Sequence, residues 1–487
     1  MPRICARTKL LMLVLAVVAV AGCASRPINE PITHVDPKAG YRPYLLIPKL
    51  PNNDPHTLFV LSFSGGGTRA AALSYGVLEE LRQTEIKVDG QPRRLIDEVD
   101  MMTGVSGGSF TALSYALYGD ALFAEYEQRF LKRDVEGALL GRSINPFNWW
   151  KFVGGSAGRS ELAAEYYDEI LFNGATFGDL LDKSRPVAVA TGTDLSTGSR
   201  FAFFQNDFDL LCSNLSTFRL SRAAATSSAV PVVLSPVTLN NYGGTCGFQY
   251  PAWVKEMTEH PDVGGISDRA LKRYREMQDF QDSKDRPYIH LVDGGVSDNI
   301  GVRGVLEALE ELGASSKFRG EVGFGGVRRI VLILVNSHSS PSTHWDAVES
   351  PPGFVIQLLQ SSGVPIDRYS FETVETMKDR AEIVRWKREL QVAEARLAGA
   401  TEAQAQQRFP KVTLQVVDVN FDAIRDPKQR AYFMNLPTSF VLPPEDVDRL
   451  RDIAGELMRQ SPQYRAVVQD MGGNPSARDG VRAASAQ

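Results

Sequence analysis

From Thr57 onward the chain alternates short apolar runs with stretches of helical periodicity. The runs TLFVLSFS (57–64), IDEVDMMTG (96–104), PVAVATGTDL (186–195), PYIHLVDGG (287–295), RIVLILVNS (329–337) and VTLQVVDVNF (412–421) predict strands. Several are nearly continuous in Val, Ile and Leu, as in parallel sheets buried on both faces. Helical patterns over 69–84, 107–118, 160–172 and 301–312 fall between them. Strand then helix, repeated, predicts a layered α/β/α domain with a mostly parallel central sheet. Segment 366–409 is long, charged and helical in pattern, and predicts a solvated amphipathic helix packed on one side of the domain. Residues 443–468 predict one or two capping helices. The stretch from 311 onward is expected to add strands and helices to the same domain.

Before Thr57 the pattern changes. Residues 24–56 contain Pro27, Pro31, Pro37, Pro43, Pro48, Pro51 and Pro55. That spacing forbids long helices and predicts an extended tether. Further upstream, Arg3, Arg7 and Lys9 precede an apolar run from Leu10 to Ala21. A membrane-spanning helix needs about 20 such residues, so this shorter run fits the h-region of a signal peptide over 1–22. It ends in VAGC (20–23), which resembles a bacterial lipobox in which Cys23 is lipidated and becomes the mature N-terminus. A plain signal peptide is the alternative. Ala24 and Ser25 resemble the residues that sort lipoproteins to the outer membrane. The expected place is therefore the bacterial cell envelope, lipid-anchored at the outer membrane and facing the periplasm.

Composition narrows the picture a little. The 487 residues are 43% hydrophobic and 23% charged, with a formal charge of −5, so nucleic acid is not an expected partner. Basic clusters such as Arg328-Arg329 are too short for a phosphate-backbone footprint. Of four cysteines, Cys5 leaves with the signal and Cys23 takes lipid. Cys212 and Cys246 remain, either as a disulfide suited to an oxidising compartment or as two buried thiols.

Chemistry concentrates at three places. Gly104-Val105-Ser106-Gly107-Gly108 is a G-x-S-x-G elbow between a predicted strand and a small-residue helix. Such a turn lifts the serine hydroxyl above a sheet, with glycines where side chains would clash. A second copy, Gly154-Gly155-Ser156-Ala157-Gly158, follows an aromatic segment with little strand character, so Ser156 is the weaker candidate. A serine needs a base. His34 and His56 belong to the tether, and His260 lies in a polar loop. His290 stands three residues before Asp293, and on a strand such residues face opposite ways. His338 and His344 flank a serine-rich loop and leave a hidden triad open. Asp293 ends a predicted strand just before two glycines, where α/β active sites form. Its plain alternative is a helix cap, which Asp298 or Asn299 could supply equally well. Gly65, Gly66 and Gly67, followed by Thr68 and Arg69, present bare backbone N–H groups suited to a phosphate or an oxyanion. The nucleotide-loop spacings are missing, and no metal-ligand motif or cofactor signature is found.

Taken in order, GGGTR (65–69), GVSGG (104–108) and DGG (293–295) resemble the patatin-like phospholipases, lipid acyl hydrolases with an α/β/α fold. TGTDLSTGSRFAF (191–203) and RAAATSSAVPVVLSPV (222–237) resemble inner segments of that family, and the likeness spans about 57–310. The resemblance implies Ser106 as nucleophile, Asp293 as general base without a histidine, and Gly65, Gly66, Gly67 and Arg69 as the oxyanion region. One departure is Ala70, where the family commonly has glycine. A carboxylic ester hydrolase acting on phospholipid or another acyl lipid is the function implied. An acyltransferase or thioesterase on the same site, or a non-catalytic envelope lipoprotein, are the alternatives.

Overall fold

The computed structural model describes residues 26–475 apart from 53, 89, 146–157, 260–267, 315 and 344. The signal peptide over 1–22, Cys23, Ser156, His260 and His344 lie outside the described residues.

Ten strands are formed among the described residues: β1 (Thr57–Phe63), β2 (Glu85–Val88), β3 (Gln91–Arg94), β4 (Met101–Gly104), β5 (Val187–Asp194), β6 (Arg200–Ala202), β7 (Val237–Asn240), β8 (Tyr288–Asp293), β9 (Arg329–Asn336) and β10 (Thr413–Asn420). β2 and β3 make a separate hairpin, and the main sheet runs β10-β9-β1-β4-β5-β8-β7, with β6 also paired to β5. From β10 to β5 the neighbours are parallel, whereas β8 is antiparallel to both β5 and β7. The helices used below are α1 (Gly67–Gln83), α2 (Gly107–Tyr118), α3 (Arg159–Tyr167), α4 (Leu220–Ser227), α5 (Arg303–Ala314), α6 (Phe354–Leu397) and α7 (Pro444–Gln460).

The continuous apolar runs are explained by two buried faces. Along β1, Phe59, Leu61 and Phe63 enter one core while Val60 enters the other; in β9, Val331, Ile333 and Val335 alternate likewise with Ile330, Leu332 and Leu334. The larger core takes in Leu113 of α2 and Leu450 and Ile453 of α7. The smaller one takes Val305 and Leu306 of α5 and Val374 and Met377 of α6. The result is a mostly parallel sheet with helices on both faces, the expected α/β/α architecture.

Two expectations need correction. Residues 26–50 do not run free as a tether. Pro31 bridges Ser213, the buried Tyr41 hydroxyl receives the Ala188 N–H at 2.8 Å, and Arg42 pairs with Asp209 at 2.6 Å with both side chains buried. The prolines do keep the segment from forming long helices, and its polar groups then bond to the body. The helix expected from 366 begins earlier, at Phe354, and carries Pro365 in its interior. The sequence hides this start because Ser361, Ser362, Gly363 and Pro365 read as a break.

The structure joins Cys212 and Cys246 in a disulfide, with Cα atoms 5.5 Å apart. No helix among the described residues is long and apolar enough to cross a membrane.

Candidate active site

Sheet register assembles the site. Phe63 pairs with Gly104, Gly104 with Ala190, and Gly192 with Asp293. Continuing each strand by two residues sets Gly65, Ser106, Gly192 and Asp293 in one row across the sheet. A Cβ on Gly192 would press on Thr226 Cγ2 at 3.1 Å.

Ser106 sits at the sharp turn from β4 into α2, with φ 47° and ψ −121°. A positive φ at a non-glycine residue is strained and clusters at functional sites. The turn closes only because its glycines admit backbone. A Cβ on Gly104 would lie 2.6 Å from Ser109 Cα, one on Gly108 2.6 Å from the Phe63 carbonyl, and one on Gly107 would meet the Gly67 carbonyl. The Ser106 N–H donates to Ser227 Oγ at 2.9 Å, and its side chain lies close enough to the Asp293 carboxyl to lower its pKa. Ser106 is 6% exposed.

Asp293 is equally buried. Its Oδ1 accepts the Gly295 N–H at 2.7 Å. Desolvation pushes the carboxyl up to about 7, against the opposing pull of the Gly295 and Ser106 hydrogen bonds. The alternative role, capping the next helix, falls to Asp298, whose carboxylate accepts the N–H groups of Gly301 (3.0 Å) and Arg303 (2.7 Å). Asp293 takes only the Gly295 N–H, at the start of the short helix Gly295–Asp298.

The glycine loop divides its duties. Gly65 donates its N–H to the Asn299 carbonyl at 2.9 Å, so that donor is taken and leaves the expected oxyanion set. Gly66 and Gly67 adopt φ 139° and 60°, and Ser439 packs against Gly67 where any Cβ would stand. Among the described residues the N–H groups of Gly66, Gly67 and Gly107 have no hydrogen-bond partner. They sit at the N-termini of α1 and α2, where helix dipoles favour negative charge. Gly107 was missed from the sequence as a donor, although the residue after a nucleophile elbow commonly serves so.

Arg69 also departs from expectation. Its guanidinium is buried and donates to the Ser337 carbonyl (2.7 Å), the Leu436 carbonyl (2.8 Å) and Thr438 Oγ1 (2.9 Å). Its charge therefore ties the glycine loop to two distant segments. Ser337 strengthens that tie: its Oγ donates to the Gly65 carbonyl at 2.9 Å and its N–H to Ser64 Oγ at 2.9 Å. Nothing in the sequence marks Ser337, Leu436, Thr438 or Ser439.

Among the described residues no histidine is hydrogen-bonded to Ser106 or Asp293. His290 Nδ1 lies 3.0 Å from Thr238 Oγ1 on the exposed side of β8, and His338 Nδ1 lies 3.3 Å from Asp367. Among the described residues no group of three or more His, Cys, Asp or Glu could hold a metal ion. Two cavities, of about 480 Å³ near Tyr432 and Arg449 and about 190 Å³ behind Tyr41, do not reach Ser106.

The chain belongs to the patatin-like phospholipase family, whose model matches residues 61–306, half of its length. Among solved structures it is similar to human GIVD cytosolic phospholipase A2, at 13% identity and a TM-score of 0.43, covering 88% of this chain and 65% of that one. The same human protein in complex with methyl gamma-linolenyl fluorophosphonate matches at 12% identity and a TM-score of 0.39, over 88% and 61% of the two chains. VipD from Legionella pneumophila matches at 12% identity and a TM-score of 0.23, over 90% and 73%. This chain spans just under two thirds of the length of the human protein. No curated protein matches it.

Proposed function

We propose that this protein is a serine lipid acyl hydrolase of phospholipase A or lysophospholipase type, working through Ser106 and Asp293. The observation that carries the reading is the juxtaposition of a strained serine at a helix N-terminus with a desolvated carboxylate. A carboxylate near its ordinary pKa is a feeble base, and one poised near 7 is matched to neutral pH.

Ser106 attacks the ester carbonyl and Asp293 accepts its proton. The oxyanion that develops sits among the N–H groups of Gly66, Gly67 and Gly107, each such donor contributing about 100- to 1,000-fold in rate. Asp293 returns the proton to the leaving alcohol, and water then releases the fatty acid from the acyl-enzyme. The membership of residues 61–306 in a phospholipase family supports an acyl lipid as substrate. The test is labelling with a fluorophosphonate serine probe. Wild type is expected to react at a single site and Ser106→Ala not at all, with folding unchanged. Undiminished labelling or hydrolysis in that variant would remove Ser106 from the reaction.

The lipobox-like VAGC at 20–23 supports a place in the bacterial envelope, with the enzyme held beside its substrate by lipid on Cys23. Cys23→Ser is then expected to shift the protein from the membrane to the soluble fraction. Retention on membranes would count against the anchor.

A further inference from the structure

Ser227, Ser228 and Ala229, at the end of α4, reach three different groups in turn. Ser227 Oγ accepts the Ser106 N–H at 2.9 Å. The Ala229 carbonyl accepts the Asp293 N–H at 3.0 Å. Ser228 approaches the hydroxyl of Tyr167, the last residue of α3. Tyr167 is wholly buried and lies close enough to Asp293 to sense its charge. Yet its hydroxyl makes no hydrogen bond of ordinary geometry among the described residues, and the Ser228 hydroxyl is engaged with the Ala224 carbonyl at 2.8 Å.

The ring cannot carry that hydroxyl elsewhere. It stands edge-on to Phe110, one helical turn beyond Ser106, at 4.7 Å between centroids, and packs on Phe440 at 6.5 Å. Leaving a buried hydroxyl without a partner is costly, and buried polar groups are otherwise satisfied by protein or by ordered water. A phenol fixed beside the reacting pair and left unpaired is a place built for a polar guest.

We propose that the Tyr167 hydroxyl, together with Asp293, holds the water that hydrolyses the acyl-Ser106 intermediate. The inference rests on the reading of Ser106 and Asp293 given above. Once Ser106 is acylated it has no hydroxyl proton to turn toward Asp293, and the carboxylate is left with an open acceptor. A water there donates one hydrogen to Asp293 and accepts one from Tyr167; Ser228 Oγ supplies a third polar neighbour, enough to order it. The water oxygen forms the new bond to the acyl carbonyl carbon as its proton passes to Asp293. The bond from that carbon to Ser106 Oγ then breaks, Asp293 returns the proton to Ser106, and the fatty acid leaves. Tyr167 gives up no proton, and burial raises its ionisation far above the working range. It is a positioning residue.

Tyr167→Phe in the full chain isolates this role, because the ring packing is kept. With a p-nitrophenyl ester, steady-state turnover is expected to fall about 100-fold while fluorophosphonate labelling of Ser106 stays within about twofold of wild type. The variant should show a burst of one nitrophenol per site, and an acyl adduct on Ser106 should accumulate in its intact mass. Hydroxylamine, which needs no ordering by Tyr167, should restore release. Turnover at the wild-type rate without an adduct overturns the proposal. So does a parallel loss of labelling and turnover, which places Tyr167 in acylation or in folding. Absence of labelling in wild type itself would instead overturn the role of Ser106.

Discussion

The groups proposed to react and the groups that hold them in place come from different parts of the chain. Residues 61–306 supply Ser106, Asp293 and the glycine loop, and this is the part that the family model matches. The segments beyond β8 supply none of the groups proposed to react, yet Ser337, Leu436, Thr438 and Ser439 fix where that loop sits. The first region is constrained in residue type, because only certain side chains can attack, accept a proton or leave a backbone bare. The second works largely through carbonyl oxygens, which almost any residue offers. Chemistry therefore writes itself into sequence, and bracing mostly does not.

The sharpest blow to the first region is Asp293→Asn. Losing a positioned general base is expected to lower kcat/KM about 1,000-fold while the fold persists. The pH profile carries the sign. A carboxyl raised to about 7 is ionised only above that pH, so wild-type hydrolysis should rise as pH increases through about 7, and the variant should lose that limb. Stability runs the other way. The native state holds a proton that the unfolded chain has already lost between the ordinary carboxyl range and about 7, so wild type loses stability as pH rises across that window. Asp293→Asn should accordingly melt higher than wild type at pH 8. If a histidine variant and not this one removed the limb, the base would have to be sought elsewhere.

The same division explains what could be read before the structure. The elbow at Ser106 was legible because three glycines have distinct steric reasons to be there: Gly104 faces Ser109, Gly107 faces Gly67 and Gly108 faces Phe63. Asp293 was legible as a strand end followed by glycines, but not the antiparallel direction of β8, since a short buried strand has the same apolar pattern either way. Gly65 was grouped with its neighbours because a run of glycines does not reveal which N–H is already engaged. The motif assigns Arg69 to the oxyanion region because a motif shows a residue's place and not where its side chain turns. Its acceptors lie 268 and 367 positions away in the chain.

Arg69→Ala probes the bracing directly. It leaves the Ser337 and Leu436 carbonyls and Thr438 Oγ1 without a donor in a buried setting. Destabilisation of about 3–4 kcal/mol is expected, together with a drop of about 100-fold in Ser106 labelling as the loop loosens. Arg69→Lys, with one compact ammonium, should recover only part of both. Thermal melts and labelling rates measured on the same samples decide the role. Labelling lost without loss of stability would return Arg69 to a direct part in the chemistry, and stability lost with labelling intact would show that the loop holds without it.

The disulfide supplies the contrasting case, a constraint inside the family-matched region that touches no reacting group. It links residues 34 apart, and both cysteines are buried. In the chain-entropy description a loop of that size is worth about 3–4 kcal/mol, through restriction of the unfolded chain. Cys246→Ala should therefore lower stability by an amount similar to Arg69→Ala while leaving Ser106 labelling unchanged, because neither cysteine contacts the glycine loop, Ser106 or Asp293. Matched losses of stability with opposite effects on labelling would separate a brace that shapes the site from a staple that only holds the fold. If labelling fell equally in both, the glycine loop would be responding to global stability, and the bonds from Ser337, Leu436 and Thr438 would have no special claim on the chemistry.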